Sequence, residues 1–572
     1  MIPVPDKERD ILDLAHKLIE QCRVSVGARS TYCRLMNTIA ETGRFDGSKA
    51  LVNLLHNHLD RTAAHLFSPV ELKFTVDFEN RYPKHIIERG AVAGEILTRS
   101  WERSNTDEMF ARGVFESLKY GISILKQWPV VEKNNEVVYM KKLVMPWQFG
   151  VYREDINDID LQECVCETST LTLPEVWQRI FHLPNSKKLF DKIKANAKTG
   201  ESGSEPSSYF HQVLSTSQLN TSPLAATTPG GIVGVTSDAN YSLMGPVIAA
   251  DCVQMHELWV KDEDDYTTIQ LIEPDILVAP LYKKANLLIA GSRMQPYRVI
   301  QPNEVTNWFW GRSELVDLIE PQGLLAQWCD DAKRLMGLQI DKILAFVGEN
   351  GIKDEIYDDF RSAGYIALQP GSDIKDVTPK VPPELLPIIK WLIEVINVLG
   401  GFPPIMQGQG EPGVRAGSHA GTLMKTASPT LRDRALLVER QCAMCADLSL
   451  TIKEAKDPNH YWTKFDTIEE VESTKFLLSE LPDDWRVLVD SHSSSPIFSD
   501  ENQQMIFALR KTGDVGGEYV IDNLPLPNKE IAKAQLRERE KNKAIQMQKL
   551  LQEHPDLGEA LAKKQLIGST RR

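Results

Sequence analysis

Hydrophobic side chains recur at helical spacing through the N-terminal part of the chain. Residues 6–26 and 47–66 place an apolar residue at about every third or fourth position, a pattern that predicts amphipathic helices. Two more helices are predicted near 83–103 and 107–126. In the second, Thr106 followed by two acidic residues gives a favourable start.

Strand-like alternation of apolar and polar residues appears between and after these helices. Residues 70–78 predict a strand, and residues 128–151 predict a hairpin around Asn134-Asn135 followed by a strand through Met145-Pro146-Trp147. The same signal returns in 257–260, 267–272, 276–281 and 485–489. Helices and strands mixed in this way predict an α+β fold.

Local signals refine this picture in several places. Thr172 and Glu175 form a capping box that predicts a helix start, and Thr467 and Glu470 form another. Residues 199–246 are rich in Ser, Thr, Gly, Pro and Asn, so they predict a flexible insertion or long loop. Helices are also expected from about 499–500 onward and over the charged stretch 528–552.

The chain is expected to be organised around residues 313–455. Ser313 is a candidate cap for a helix that reaches Phe346 and kinks at Pro321. A segment poor in helix signals follows, and then a very apolar helix over 385–399 that stops at Gly400-Gly401. A glycine-rich stretch over 408–421 then leads into a last helix, which extends to about Ala455.

The apolar helix is unusual because eleven of its fifteen residues are hydrophobic. Its exceptions, Pro387, Lys390, Glu394 and Asn397, fall on one stripe at steps of three and four. A helix so apolar must be covered on most sides. It is either a core helix of a large monomer with one exposed edge, or a helix packed between identical neighbours in a ring, with its stripe facing a channel. At ~1.5 Å per residue it is too short to cross a membrane.

Composition narrows the possible classes of protein. A chain of 572 residues with 42% hydrophobic content can form a large core. The net charge of −14 argues against a protein that binds DNA or an anionic membrane over its whole surface. The opening MIPVPDKERD lacks a basic and apolar signal, so secretion by a signal peptide is not expected. No apolar run is long enough for a membrane span.

The candidate enzyme and metal motifs are incomplete. The glycine-rich stretch lacks the Gly-Lys-Ser/Thr triplet of a nucleotide-binding phosphate loop. The pairs Cys442/Cys445 and Cys164/Cys166 could each be half of a metal site, but no second pair completes them, so buried structural thiols are expected. We therefore predict no enzymatic activity, no cofactor and no bound metal.

The succession of these parts resembles the portal proteins of tailed bacteriophages. Each motif is loose, and the order of the motifs carries the likeness. The residues that carry it are Trp310-Gly311-Arg312-Ser313 leading into Pro321-Gln322, the helix to Phe346, Gly364-Tyr365-Ile366-Ala367-Leu368, the helix ending at Gly400, Phe402-Pro403-Pro404-Ile405, the glycine-rich stretch and the long helix after it.

The resemblance implies a portal-protein fold with wing, stem, clip and crown regions. Its implied boundaries are a wing over 1–312 containing the insertion at about 199–246, a first stem helix over 313–347, a clip over 348–382, a second stem helix over 383–400, a tunnel loop over 401–421, a long wing helix and return strand over 422–499, and a helical crown with the C-terminal tail over 500–572.

The function implied by the resemblance is a channel for double-stranded DNA. Portal proteins form a ring homo-oligomer, typically of about twelve subunits, at one capsid vertex, through which the genome is packaged and ejected. The implied partners are the terminase large subunit, a tail adaptor protein, and the capsid and scaffolding proteins. The implied location is the virion, after assembly in the host cytoplasm.

Three groups of residues are implicated in this function. Arg415 is expected to make transient phosphate contacts; the alternative is a surface loop in which Arg415 pairs with Glu411 or with a neighbouring subunit. The groups are the tunnel loop with Gly408, Gly410, Gly413, Arg415, Gly417 and His419; the channel-facing stripe with Lys390, Glu394 and Asn397; and the subunit interface with Ile389, Leu392, Val395 and Ile396.

Two other interpretations stay open at this point. A monomeric nucleotide-dependent enzyme would use 408–421 as its phosphate loop. The other is a structural subunit of a virus particle that lacks a channel.

Overall fold

The computed structural model divides the chain into two units, residues 1–490 and 491–572, and each is described by itself. The residues that the structure describes are 2–5, 7–46, 48–69, 72–131, 137–181, 183, 185–199, 251–262, 265–273, 275–278, 287–289, 292–340, 344–347, 373–401, 429–456, 461–465, 473–482, 484–489, 505–512, 516–517, 520–521, 535–539 and 541–542.

The described residues contain both helices and antiparallel sheets, as expected for the α+β class. In chain order, the helices of the first unit are α1 (Glu8–Cys22), α2 (Val26–Thr42), α3 (Leu55–Leu66), α4 (Lys84–Arg103), α5 (Thr106–Tyr120), α6 (Leu173–Ile180), α7 (Ser186–Asn196), α8 (Ile319–Ile340), α9 (Leu385–Leu399) and α10 (Pro429–Lys456). Among the described residues, none of these helices combines the length and the hydrophobicity that crossing a membrane requires.

The strands form two larger sheets and several strand pairs. Their bounds are β1 (Phe74–Phe78), β2 (Ser123–Val131), β3 (Val137–Val144), β4 (Phe149–Val151), β5 (Cys164–Thr172), β6 (Lys198–Thr199), β7 (Asp251–Asp262), β8 (Asp265–Ile272), β9 (Ile276–Leu277), β10 (Leu287–Ile289), β11 (Ser292–Met294), β12 (Tyr297–Ile300), β13 (Leu344–Val347), β14 (Asp373–Asp376), β15 (Tyr461–Phe465), β16 (Ser473–Leu477) and β17 (Trp485–Val489).

The larger sheet has the order β4-β5-β7-β8-β9, with β6 also paired to β7, and the smaller has the order β12-β2-β3. Paired strands are antiparallel in both, and β1 pairs with the distant β17. The pairs β10–β11, β13–β14 and β15–β16 are two-stranded antiparallel sheets.

Alternation along β5 and β7 gives the larger sheet two buried faces. Cys164 and Leu258 lie on the face that packs under α1, whereas Val165 and Trp259 lie on the opposite face, in one cluster with residues of the smaller sheet. Helix α1 supplies Ile11, Ala15 and Leu18 to its side of the sheet. The larger sheet is therefore the middle layer between α1 and the smaller sheet.

Several sequence-based predictions of elements are confirmed. The hairpin pairs Val131 with Val137 on either side of Asn134-Asn135. Thr172 and Glu175 form the predicted capping box, and the Thr172 backbone nitrogen donates to Glu175 Oε2 at 2.8 Å. The strand predicted at 485–489 is β17.

Other predictions are wrong for identifiable physical reasons. The predicted helix 107–126 ends at Tyr120 because Gly121 takes a left-handed conformation (φ +98°), and β2 then begins at Ser123. Met145-Pro146-Trp147 is not a strand, since Pro146 begins a short 3-10 turn. Helix α2 was not predicted, because polar residues occupy several of its buried positions, including Arg29, Ser30 and Thr38.

The segment 313–455 differs from its prediction at its first helix. Ser313 is buried and donates to the Leu118 carbonyl, and the helix begins only at Ile319. Pro321 lies in the first turn, where proline is tolerated. The helix ends at Ile340, and Leu344–Val347 is a strand paired with Asp373–Asp376, so 313–347 is not one continuous helix.

Some predicted segments lie wholly or mostly outside the described residues. These are the insertion at 199–246, the capping box at Thr467, most of the region 348–372, the glycine-rich stretch and most of 528–552. In the second unit the structure describes a helix over 505–512, in agreement with the helix predicted from about 499–500.

Two helical glycines give a matched test of packing. A Cβ on Gly94 in α4 would overlap the Phe74 carbonyl oxygen, whereas a Cβ on Gly337 in α8 would have no neighbour within 4 Å. We expect Gly94→Ala to lower the free energy of unfolding by about 1–3 kcal/mol. We expect Gly337→Ala to raise it by about 0.5–1 kcal/mol, because alanine favours the helix. Urea unfolding of both variants measures the two signs, and equal effects would contradict the close approach at Gly94.

Candidate functional site

Helix α9 begins and ends at well-defined backbone features. The Leu385 backbone nitrogen donates to the Pro382 carbonyl at 3.1 Å, and the helix follows Pro382-Pro383. At the other end the Gly400 nitrogen donates to the Ile396 carbonyl at 2.9 Å, and Gly401 is left-handed at φ +76°. The predicted helix 385–399 is therefore confirmed at both ends.

One face of α9 is covered by the chain itself. Leu385, Leu392 and Ile396 are buried, and they follow each other at steps of seven and four, on one side of the helix. The helix packs against α8. Leu392 and Ile396 are only 5% and 1% exposed, so we remove these two from the predicted subunit interface.

The apolar residues on either side of the covered face remain accessible. At ~100° per residue, Leu386, Ile389 and Ile393 form one strip, which we call the first flank. Ile388, Trp391, Val395 and Val398 form a second strip on the other side, which we call the second flank. Leu386, Trp391 and Val398 are more than half exposed, and the other flank residues are half-buried. The helix is therefore not enclosed in the core of its own chain.

A polar stripe runs between the two flanks, opposite the covered face. It consists of Lys390 and Glu394, which are exposed, and Asn397, which is half-buried; Pro387 is exposed on the same side. The three predicted stripe residues thus lie together on one side of the helix. Ile389 and Val395, predicted at the interface, lie on opposite flanks.

The tunnel-loop residues lie outside the described residues. Gly408, Gly410, Gly413, Arg415, Gly417 and His419 all fall in 402–428, between Gly401 and the start of α10. Their role stays a prediction.

A polar network secures the end of α9 next to α10. A Cβ on Gly400 would overlap the ring of His58 in α3, so the helix end lies directly against that ring. His58 Nε2 lies 3.4 Å from Glu314 Oε1, and Arg434 Nη1 in α10 donates to both Glu314 oxygens at 2.9 and 2.8 Å. Asn303 Nδ2 also donates to Glu314. The residues of this network are far apart in the sequence, so no local sequence pattern could have predicted the network.

The electrostatics of this network fix the charge of Glu314. Burial alone would raise the pKa of its carboxyl, but the His58 hydrogen bond and the Arg434 guanidinium outweigh burial and hold the pKa at about 2. Glu314 therefore stays ionised under ordinary conditions, and the network holds α3, α10 and the segment before α8 together.

A second network is buried between the two larger sheets. Lys126 Nζ in β2 donates to Glu167 Oε2 in β5 at 2.6 Å and to Glu257 Oε1 in β7 at 2.9 Å. The Tyr297 hydroxyl donates to Glu167 Oε2 at 2.8 Å, and Trp259 Nε1 donates to Glu257 Oε1 at 2.8 Å. All five side chains are buried.

The charges in this second network are also fixed. Burial opposes ionisation of Lys126, but Glu257 and Glu167 outweigh it and raise the pKa of the ammonium. Burial likewise opposes ionisation of Glu167, but Lys126 and Lys142 hold its pKa at about 2. These two groups therefore do not exchange protons near neutral pH, as a general acid or base would.

The network borders a cavity of about 220 Å³. Its walls combine aromatic and polar side chains from both sheets and from α6. They are Lys126, Trp128, Arg179, Glu257, Trp259, Thr268, Gln270 and Pro296. Sites for small-molecule ligands are usually larger, at ~300–1,000 Å³, so this cavity has room only for water or a very small molecule.

The cysteines predicted as buried thiols are buried. Cys164, Cys166, Cys442 and Cys445 are free thiols. Burial raises the pKa of Cys445 to about 12 and raises the pKa of Cys166 further. Such thiols are poor nucleophiles.

Comparison with known proteins gives no further identification, since no protein-family model matches the chain and no curated protein matches it.

Proposed function

We propose that this chain is the subunit of a portal-type ring that surrounds a channel for double-stranded DNA. The observation that supports the proposal is the division of α9 into four sides. One side is covered by the chain, two are accessible and apolar, and the side between them is polar.

The two flanks favour a ring over a simple dimer. They differ in sequence, so a contact that covers both must pair the first flank of one copy with the second flank of the next. Such head-to-tail contacts generate closed rings when the rotation between copies closes. A two-fold dimer through one flank would leave the other flank, including either Leu386 or Trp391, in water.

The polar stripe then faces the axis of the ring. It carries one cation and one anion, Lys390 and Glu394, together with the neutral Asn397. Phosphate contacts dominate affinity for DNA, so a wall with few lysines would let a duplex slide. The net charge of −14 per chain agrees with a conduit that does not hold its cargo tightly.

The remaining parts of the function follow from the same proposal. The ring would contain about twelve subunits and occupy one vertex of a viral capsid. DNA would be packaged through it by a separate terminase motor and later ejected toward a tail adaptor. The predicted tunnel loop with Arg415 would line the passage.

Electron microscopy of the purified protein tests this proposal. We expect end-on views of negatively stained particles to show closed rings with a central hole, and mass photometry to give one dominant mass at a fixed multiple of 64.5 kDa. A monomer at every concentration and salt, or a compact particle without a hole, would contradict the channel.

A further inference from the structure

The larger sheet carries surfaces of opposite charge at its two ends. Strands β5 and β7 pair from Cys164–Val260 at one end to Thr172–Cys252 at the other. At ~3.3 Å per residue these ends are ~26 Å apart. Any contact between the two surfaces must therefore be made between different copies.

The basic surface is formed by α6 and α7. Helix α7 packs through Ile193 into the cluster with Leu171 and Val253, which fixes it at the Thr172 end of β5. Lys187, Lys188, Lys192 and Lys194 are all exposed on α7, which contains a single acidic residue, Asp191. Trp177 and Phe181 are exposed nearby, at 37% and 60%.

The acidic surface is formed by the connection from β4 to β5, residues 152–163. It contains five acidic residues and one arginine. Glu154 is engaged by Arg29 and Trp310, and Asp160 pairs with Arg298 at 3.1 Å. Asp155 pairs with Arg153, but Asp155 and Asp158 are both exposed.

Apolar side chains accompany the acidic surface as they do the basic one. Leu161 is 60% exposed and Trp308 is 42% exposed. The Trp308 backbone nitrogen donates to Asn157 Oδ1, which places Trp308 beside the acidic surface. Each surface therefore combines a majority of charges of one sign with exposed hydrophobic groups, a composition that suits a protein–protein contact.

We propose that the α6–α7 surface of one subunit docks on the 152–163 surface of the next copy of the same chain. Because the two surfaces differ, the contact is head-to-tail, as a closed ring requires. The inference rests on the proposed ring, and it adds a second contact, formed by charged residues at the ends of the larger sheet and not by α9.

Charge reversal with rescue tests the contact. Lys188→Glu/Lys192→Glu reverses two charges one helical turn apart on α7, and Asp155→Lys/Asp158→Lys reverses the acidic side. At low salt we expect each double variant to raise the concentration needed for half-assembly by ~10-fold or more. Combining all four substitutions should bring that concentration back to within ~3-fold of the wild-type value, since opposite charges face each other again.

Matched controls separate this contact from general effects of charge. Lys84→Glu/Arg99→Glu reverses two exposed charges on α4 and should leave assembly unchanged. Asp158 also accepts a hydrogen bond from the Asp160 nitrogen, so Asp158→Asn tests the charge while keeping an oxygen for that bond. Far-UV circular dichroism and thermal melts of every variant test whether the variant is folded.

The outcomes distinguish this contact from the ring itself. Rings that form equally well in all variants would overturn the contact and leave the ring standing. Open head-to-tail chains that respond to the charge swap would support the contact and remove the closed ring. A wild-type chain that stays monomeric would overturn both. Loss of binding to a short DNA duplex in Lys188→Glu/Lys192→Glu, with unchanged assembly, would assign the lysines to phosphates and overturn the contact.

Discussion

Replacing Trp391 by Asp should abolish ring assembly and leave the isolated subunit folded. Trp391 is 58% exposed in the second flank, so the substitution removes little packing within the chain. In a ring the same side chain would be buried against the next copy, and the new carboxylate would enter that contact unpaired. Truncating a central tryptophan at an interface commonly costs ~2 kcal/mol or more, which weakens each contact by ~30-fold. The loss recurs at every contact of the ring.

The neighbouring residue supplies the contrast. Leu392 is buried within the chain, so Leu392→Asp should destabilise the subunit itself, by ~3 kcal/mol or more. Asn397→Asp adds the same charge to the same helix but on the polar stripe, and it should assemble normally. Mass photometry measures assembly, and urea unfolding measures the fold. Normal rings from Trp391→Asp would show that the second flank is not a contact.

The contrast between Trp391 and Leu392 also marks what the sequence could and could not predict. The composition of 385–399 was enough to predict the helix, its end at Gly400 and its polar stripe, because only four residues interrupt the apolar run. The covered side could not be predicted, because it is set by α8, which lies in a distant part of the sequence. The predicted interface therefore mixed residues of both flanks with the internally packed Leu392 and Ile396.

The polar networks show a second limit of sequence reasoning. Lys126, Glu167 and Glu257 each lie within a strand, and a charged residue in a strand is usually placed on the solvent side. Only the packing of β2 over β5 and β7 reveals that they neutralise each other. Helix α2 was missed for a related reason. Its buried polar residues, such as Arg29, which pairs with Glu154, hide the hydrophobic periodicity.

The two networks have complementary places in the proposed ring. The His58–Glu314–Arg434 network lies at the Gly400 end of α9 and includes Arg434 of α10. The Lys126 network joins the smaller sheet to the larger sheet, and the larger sheet carries both surfaces of the further contact. In the proposed ring, rigid links of this kind would keep the contact surfaces of each subunit in fixed positions while DNA passes, because closely packed interiors deform little.

Lys126→Met should produce the largest loss of subunit stability among the variants considered. Glu167 and Glu257 would keep their buried positions without the ammonium that pairs with both of them, and breaking a buried ion pair in this way costs ~3–5 kcal/mol. Lys142→Met is the matched control. Its ammonium also pairs with Glu167, at 3.2 Å, but it is 38% exposed, so its loss should cost less than ~1 kcal/mol.

The pH dependence of the Lys126→Met variant should have the opposite sign to that of the wild type. In the wild type the pKa of Glu167 is about 2, below its ordinary value of 4.5, so its stabilisation is complete above that value and is lost as pH falls toward 2. Without Lys126, we expect burial to outweigh Lys142 and to raise the pKa of Glu167, so that the folded state binds a proton more readily than the unfolded state. Acidification from pH 7 to 5 should then raise the free energy of unfolding of the variant but not of the wild type. Guanidinium unfolding at both pH values measures this difference.

The double variant Lys126→Met/Glu257→Gln removes one charge of each sign. It should recover part of the stability that Lys126→Met loses. A single variant that weakens further on acidification would show that Lys126 does not neutralise these carboxylates.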